Sequence, residues 1–237
     1  MSIYYDLHIH SALSPCGDND MTPNNIVNMS VLKGLDVIAI TDHNSARNAR
    51  ACWECGQSAG VIVLPGMEIE TLEEVHLLAL FAHPDPAEEL DKIVAQKLPD
   101  IKNRTDIFGE QYVFDAQDNI VYSVSNLLST ATALSLSDAA MLVRELGGVA
   151  VPAHVDKSSY SVISNLGFIP DELDFSVLEI KFFDRKEDFM ARHKLSSYKV
   201  IHSSDAHFLW DINEREYFLD INPASSTEII DYLKQKP

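Results

Sequence analysis

Short apolar, β-branched runs recur along the chain at 3–10, 36–41, 61–65, 75–81, 148–153, 176–182 and 199–203, each followed by a polar loop. Runs of this length and composition read as strands. Helical stretches with recognisable ends separate several of them. Thr22-Pro23 supplies an N-cap and a proline for the first turn of a helix over 24–33, which Gly34 closes. A second helix is expected over 44–58 with Gly60 behind it, and a third over 137–145, stopped by Gly147-Gly148. Alternating strands and helices predict the α/β class with a parallel sheet. Seven or so such units in 237 residues fit a closed or nearly closed TIM-like barrel better than separate domains, so residues 1–237 are expected to form one domain.

Residues 84–132 break the rhythm. They read as a polar, irregular insertion, with a hairpin around Asp118-Asn119, and a loop of that length suggests a lid or an interface.

Composition narrows the class. Apolar residues make up 46% and charged residues 23%, as in soluble globular proteins. No apolar run is long enough to span a membrane, and no basic-then-apolar leader opens the chain, so a cytoplasmic protein without a membrane partner is expected. The formal charge is 18 − 36 = −18, which disfavours nucleic acid as a partner and requires local cations around any anionic substrate. Three cysteines without a leader do not suggest a disulfide framework; Cys52 and Cys55 are expected to pack inside a helix.

The histidines change the picture. His8 and His10 stand two apart at the end of the first run, on one side of a strand. His43 follows the second run, Glu68 the third, His154 the fifth, and Asp205 and His207 the seventh, while His76 lies on the fourth. In a parallel barrel these ends share one rim. Imidazoles and carboxylates gathered there are ligands for zinc, manganese or iron. Their number suggests two or three divalent ions, with Glu68 or a hydroxide as bridge and His8 and His10 as a pincer. His83 is an alternative to His76. Asp42 is expected to orient a ligand or cap a helix, and His202 to pack.

The ordered set D-L-H-I-H-S, I-T-D-H-N, P-G-M-E, A-H-V and S-S-D-A-H resembles the successive motifs of the PHP family, named for polymerase and histidinol phosphatase. That resemblance implies a distorted (β/α)7 barrel, a metal site of two or three ions, and phosphoester hydrolysis. It implies His8, His10, Glu68 and Asp205 on one ion, Glu68, His76 and His154 on a second, and His43 and His207 on a third. The third ion needs one more residue from the loop after His10, where family members often carry His or Asp. Here the loop reads Ser14-Pro15-Cys16-Gly17-Asp18. Spacing from His10 favours Cys16; spacing back from Thr22-Pro23 favours Asp18, the carboxylate taken forward.

The activity expected is hydrolysis of a small phosphomonoester by a hydroxide between two ions, with Glu68, Asp205 and His207 at the reacting centre. Arg47, Lys157, Lys181 and Arg185 are candidates to hold substrate phosphate. Asp205, His202 and Asp156 are candidates for the general acid. Competing readings are a nuclease acting on DNA or RNA ends, a catalytically silent metal-binding regulatory domain, and C–N hydrolysis using Lys33 or Lys181 as a metal-bridging lysine.

Overall fold

The computed structural model describes residues 2–221 and 225–237. In chain order the strands are β1 (Ile3–Ile9), β2 (Val37–Ile40), β3 (Ile62–Glu70), β4 (His76–Leu80), β5 (Tyr112–Phe114), β6 (Ile120–Ser123), β7 (Val149–Pro152), β8 (Val177–Glu179), β9 (Lys199–Ile201) and β10 (Phe218–Leu219). The helices are α1 (Pro23–Leu32), α2 (Ala49–Ala59), α3 (Pro84–Ala95), α4 (Thr105–Phe108), α5 (Leu136–Glu145), α6 (Val162–Leu166), α7 (Lys186–His193) and α8 (Ser226–Lys234).

Six strands form one sheet in the order β10-β1-β2-β3-β4-β7, and β8 and β9 form a separate parallel pair. The pair is tied to both flanks. Val155 N–H donates to Glu179 O at 2.9 Å, and His10 N–H to Ala206 O at 2.9 Å. The sheet therefore curls from the end of β7 round to the end of β1.

The α/β class is as expected, but the wholly parallel sheet is not. β4 runs antiparallel to both β3 and β7, and β10 antiparallel to β1. The cause is loop length: only residues 71–75 join β3 to β4. A parallel return needs a crossover of about a dozen residues or more. The described strands consequently do not resolve into seven parallel β/α units.

Three clusters organise the interior. Tyr5, Leu7, Val37, Ala39, Leu64, Leu78, Val151, Val177 and Ile201 fill the inside of the curl, and Ile229, Ile230 and Leu233 of α8 join them. Ile9, Ile38, Ile40, Val63, Ile26, Val27 and Cys52 pack α1 and α2 on the outer face. Met67, Ile69, Leu77, Ala79 and Phe81 pack outward against α3 and α5. Cys52 and Cys55 are buried in this helix packing, as expected.

The 84–132 stretch is more ordered than its polarity suggested. It opens with α3, whose Ala87, Leu90 and Val94 are fully buried while its charged face is outside. The hairpin is present as β5–β6, with Asp118 at φ 61° in its turn. No helix among the described residues is long and apolar enough to cross a membrane.

Candidate metal centre

Strict alternation along β1 would place Leu7 inside the curl and His8 outside it. The register against β2 shifts between Asp6 and Ile9. This bulge lets Leu7 join the inner cluster, Ile9 the outer one, and His8 and His10 turn inward. Bulges beside active sites commonly re-aim side chains in this way. The reversal of β4 does the same for His76. Glu70 pairs with His76 and Glu68 with Leu78, so the start of β4 meets the end of β3. His83, beyond the far end of β4, is exposed at the N-terminus of α3.

Glu68 is the centre of the cluster. Its oxygens lie 3.3 Å from His8 Nε2, 3.1 Å from His43 Nδ1, 2.8 Å from His76 Nδ1, 3.2 Å from His154 Nε2 and 3.5 Å from His10 Nε2. Asp205 Oδ1 lies 3.5 Å from His8 Nε2 and 3.4 Å from His10 Nε2. The His207 ring stacks on His10 with centroids 4.2 Å apart. His154 and Asp205 both hold positive φ, 30° and 53°, an uncommon backbone conformation outside glycine.

The outer partners fix which nitrogen faces inward. Glu179, acceptor-only when ionised, lies 3.0 Å from His8 Nδ1, which assigns a proton there and turns Nε2 toward the cluster. The same carboxylate accepts the His154 N–H at 2.9 Å. Ser14 Oγ donates to Asp42 at 2.7 Å and therefore accepts from His10 Nδ1 at 3.0 Å. Asp42 also accepts from Ser11 N and Ser11 Oγ, at 2.7 and 2.6 Å, so it organises the loop after β1 rather than capping α2. Such carboxylate–imidazole pairs are the usual support of metal-binding histidines. Sequence reasoning missed Glu179 and Ser14. Glu179 had a signal: it shares the inward parity of Val177 within an otherwise apolar strand.

Electrostatics follow from burial. Desolvation disfavours a charged His8, yet Glu179, Glu68 and Asp205 outweigh it and hold its pKa well above the ordinary value. Desolvation wins at His10, helped by His207 and His43, and pushes its pKa well down. Burial would raise Glu68, but His76 and His8 hold it well below the usual carboxylate range. Asp205 is held low in the same way, by His8 and a hydrogen bond from His10.

These residues fit metal ions on their own geometry. His43 Nδ1, His76 Nδ1, His154 Nδ1 and Glu68 Oε2 are buried without a hydrogen-bond partner, although His43 and His76 Nδ1 lie close to Glu68 oxygens. Leaving such atoms unsatisfied costs about 1–3 kcal/mol each. A cation between imidazole and carboxylate removes that cost at His43, His76 and Glu68, whereas His154 meets Glu68 through Nε2 at 3.2 Å. Three donor sets gather within 4.8 Å: His8, His10 and Glu68; His43, Glu68 and His76; His10, His43 and His207.

The remaining candidates divide. Lys157 Nζ reaches Asp205 at 3.3 Å. Lys181 Nζ donates to the Ser204 carbonyl, just before Asp205. Arg47 turns away to Asp91 at 3.2 Å, and exposed Arg185 faces Asp184 at 3.8 Å. Asp18 touches the cluster through its backbone only: its N–H donates to His207 O, and its carboxylate turns back to Asp20 N at 2.8 Å. Cys16, in contrast, is hydrogen-bonded to His207 and His43, which bring its thiol down to about 6 against the opposing effect of burial. Asp156 is spent on the Lys181 and Phe182 amides, and His202 donates to Ile180 O, away from Glu68. Lys33 binds the carbonyls of Trp210 and Ile212 at the end of α1, so it offers no bridge.

Comparison with known proteins agrees with this layout. The PHP domain family model matches residues 6–150. The uncharacterized protein MJ1587 of Methanocaldococcus jannaschii is 35% identical over 105 residues, 38% of this chain and 61% of that protein. The 5'-3' exoribonuclease Rnm of Escherichia coli is 28% identical over 179 residues, 72% of this chain and 58% of its own length. The chain thus spans under two thirds of either relative. A crystal structure from Bifidobacterium adolescentis, of a candidate metal-dependent phosphoesterase, shares the fold with a TM-score of 0.63 at 21% identity, covering 95% of this chain and 94% of that one.

Proposed function

The chain belongs to the PHP domain family, and from that premise we propose that it hydrolyses a small phosphomonoester at two or three divalent ions held around Glu68. The carrying observation is a buried carboxylate set among unpartnered imidazole nitrogens: Glu68 Oε2, His43 Nδ1 and His76 Nδ1 lie close together without hydrogen-bond geometry. In this reading His8, His10, Glu68 and Asp205 hold one ion, Glu68, His76 and His154 a second, and His43 and His207 a third. Bound divalent ions supply positive charge for phosphoryl oxygens and acidify water.

The chain's own residues do the rest. Glu179 and Ser14 hold the His8 and His10 rings with Nε2 inward. Lys157, ion-paired to Asp205 on the rim, is placed to take a phosphate oxygen as substrate arrives. Asp205 stays within the cluster, but His8 and His10 hold its carboxyl ionised, which suits it to bind a cation rather than to act as the acid. Local cations of this kind answer how a chain of net charge −18 admits an anion.

A second reading is supported by one observation. Phe208 and Trp210, exposed and stacked with centroids 4.9 Å apart, directly follow His207 and offer a surface for a base. Cleavage at a nucleic-acid end would use them, although the acidic surface opposes a long polyanion. The test is a metal-reconstituted screen: phosphate release from phosphorylated metabolites and nucleoside monophosphates, run beside shortening of labelled oligonucleotides. Phosphate release supports the proposal, oligonucleotide shortening alone replaces it with the second reading, and neither, with ions bound, refutes both.

A further inference from the structure

The loop after β1 brings a different chemistry to the edge of the cluster. Ser14 N–H donates to Ser11 O at 3.1 Å and Gly17 N–H to Ser14 O at 2.8 Å, two successive tight turns. A Cβ at Gly17 would collide with the Ser11 carbonyl, so the second turn closes only around glycine. At its far end, Asp18 N–H donates to His207 O at 2.9 Å and pins the loop beside that histidine. Cys16 lies inside the second turn, two residues before the amide that binds His207 O, which sets it beside the His207 and His43 rings.

The imidazoles it meets are already a ligand set. His10, His43 and His207 bring ring nitrogens within 4.8 Å of one another. His43 is more than nine-tenths buried, and its Nδ1 is turned to Glu68 Oε2 at 3.1 Å, so its other ring nitrogen is the one on offer to this side. His207 spends Nδ1–H on the Asp205 carbonyl at 2.9 Å, which leaves Nε2 as the nitrogen for this site. The carboxylate of Asp18 is committed to Asp20 N–H.

We propose that Cys16 is the sulfur ligand of the cation held by His43 and His207, so that one ion of this centre occupies a mixed nitrogen–sulfur site. The inference rests on the reading of the cluster as a metal centre. A thiolate is soft, so this position prefers zinc, ferrous iron or cobalt to manganese or magnesium, unlike the all-nitrogen-and-oxygen positions around Glu68. The thiolate also adds a negative charge, which offsets part of the charge of the ion.

Cobalt(II) loaded into the metal-free protein tests it. The native chain should show a sulfur-to-cobalt charge-transfer band in the near ultraviolet. Cys16→Ser should lose that band and weaken one ion by more than the ~10–100-fold typical of losing an outer partner. Cys16→Asp should regain the ion without the band, and Asp18→Asn should keep both. Cobalt uptake without the band, or a band that survives Cys16→Ser, overturns the sulfur assignment and leaves the metal centre standing. No uptake of cobalt, zinc, iron or manganese by the native chain overturns both. Iodoacetamide labelling gives a readout free of spectroscopy: Cys16 is exposed while Cys52 and Cys55 are buried, so zinc should slow alkylation of Cys16 selectively. Equal labelling with and without zinc contradicts the assignment.

Discussion

Removing the Glu179 carboxylate isolates the part of the centre that never touches a metal. Its oxygens accept from His8 Nδ1 at 3.0 Å and from His154 N at 2.9 Å, and all three residues are essentially fully buried. In Glu179→Ala both donors lose their acceptor. At about 1–3 kcal/mol for each unsatisfied buried donor, the loss of folding stability should be about 2–6 kcal/mol. Glu179→Gln keeps an amide oxygen that can serve both donors but loses the charge, so it should cost about 1–2 kcal/mol, the difference between charged and neutral hydrogen bonds. Because His8 is then free to turn its ring or exchange tautomer, zinc affinity should fall about 10–100-fold in either variant. Equilibrium urea unfolding of the metal-free proteins measures the first quantity, and zinc titration against a competing chelator the second. If Glu179→Ala unfolds within about 0.5 kcal/mol of the native chain and binds zinc as tightly, Glu179 does not orient His8, and the tautomer assignment falls with it.

Three further outcomes are expected. Leu90→Ala, in the buried stripe of α3, should destabilise by about 2–5 kcal/mol in urea unfolding while leaving zinc affinity unchanged; a change in affinity would mean that α3 helps to shape the centre. The metal-free protein should be most stable between the ordinary carboxylate and imidazole values of 4.5 and 6.5. Glu68, Glu179 and Asp205 are depressed in the fold, so their contribution is lost as pH falls. His8 is raised, so its contribution is complete below its ordinary value and lost as pH rises through the folded one. Thermal unfolding across pH checks this, and zinc should remove the alkaline decline because ligands bind it deprotonated; stability of the metal-free form that climbs steadily into alkali contradicts the assignment. Lys157→Met should raise KM for a phosphate substrate several-fold with little change in kcat, an effect that salt diminishes in the native chain; a loss confined to kcat would move Lys157 from binding to chemistry.

The sequence exposes the chemistry of this protein more readily than its geometry. His8, His10, His43, Glu68, His76, His154, Asp205 and His207 could all be picked out because each closes or opens an apolar run, and all of them meet in space. The reasons they meet were partly hidden. Alternation alone would have turned His8 outward with Leu7 inside, and the bulge that corrects this leaves no mark in residue type. The apolar run at 75–81 looks like another parallel strand, whereas residues 71–75 are too few to allow one. α3 was obscured by its charged outer face, yet Pro84, Asp85 in the first turn and the spacing of Ala87, Leu90 and Val94 are ordinary helix signals. Ligand hardness and the spacing back from Thr22-Pro23 favour Asp18 in the loop after β1, and spacing from His10 favours Cys16. Neither reveals that the loop folds back through Gly17 and spends the Asp18 carboxylate on its own backbone.

The buried carboxylates themselves separate scaffold from ligand. Asp6 accepts from Ser204 N at 3.0 Å and Asn213 N at 2.9 Å, and so ties β1 to the loop that carries Asp205. Asp42 takes three donors from Ser11 and Ser14, and Glu179 takes His8 and the His154 backbone. Each is satisfied by backbone amides, hydroxyls or an imidazole N–H whose proton is already assigned. Glu68 takes no backbone or hydroxyl donor among the described residues; imidazole nitrogens surround it, and those of His43 and His76 lie close without hydrogen-bond geometry. A buried carboxylate satisfied by its scaffold gains nothing from a cation. One facing lone pairs is repelled by its neighbours until protons or metal ions come between them. With His10 pushed toward the neutral form and Glu68 held ionised, protons supply only part of that compensation. The arrangement therefore couples metal binding to the stability of the fold, because the ions that would perform the chemistry also relieve the strain of assembling their ligands.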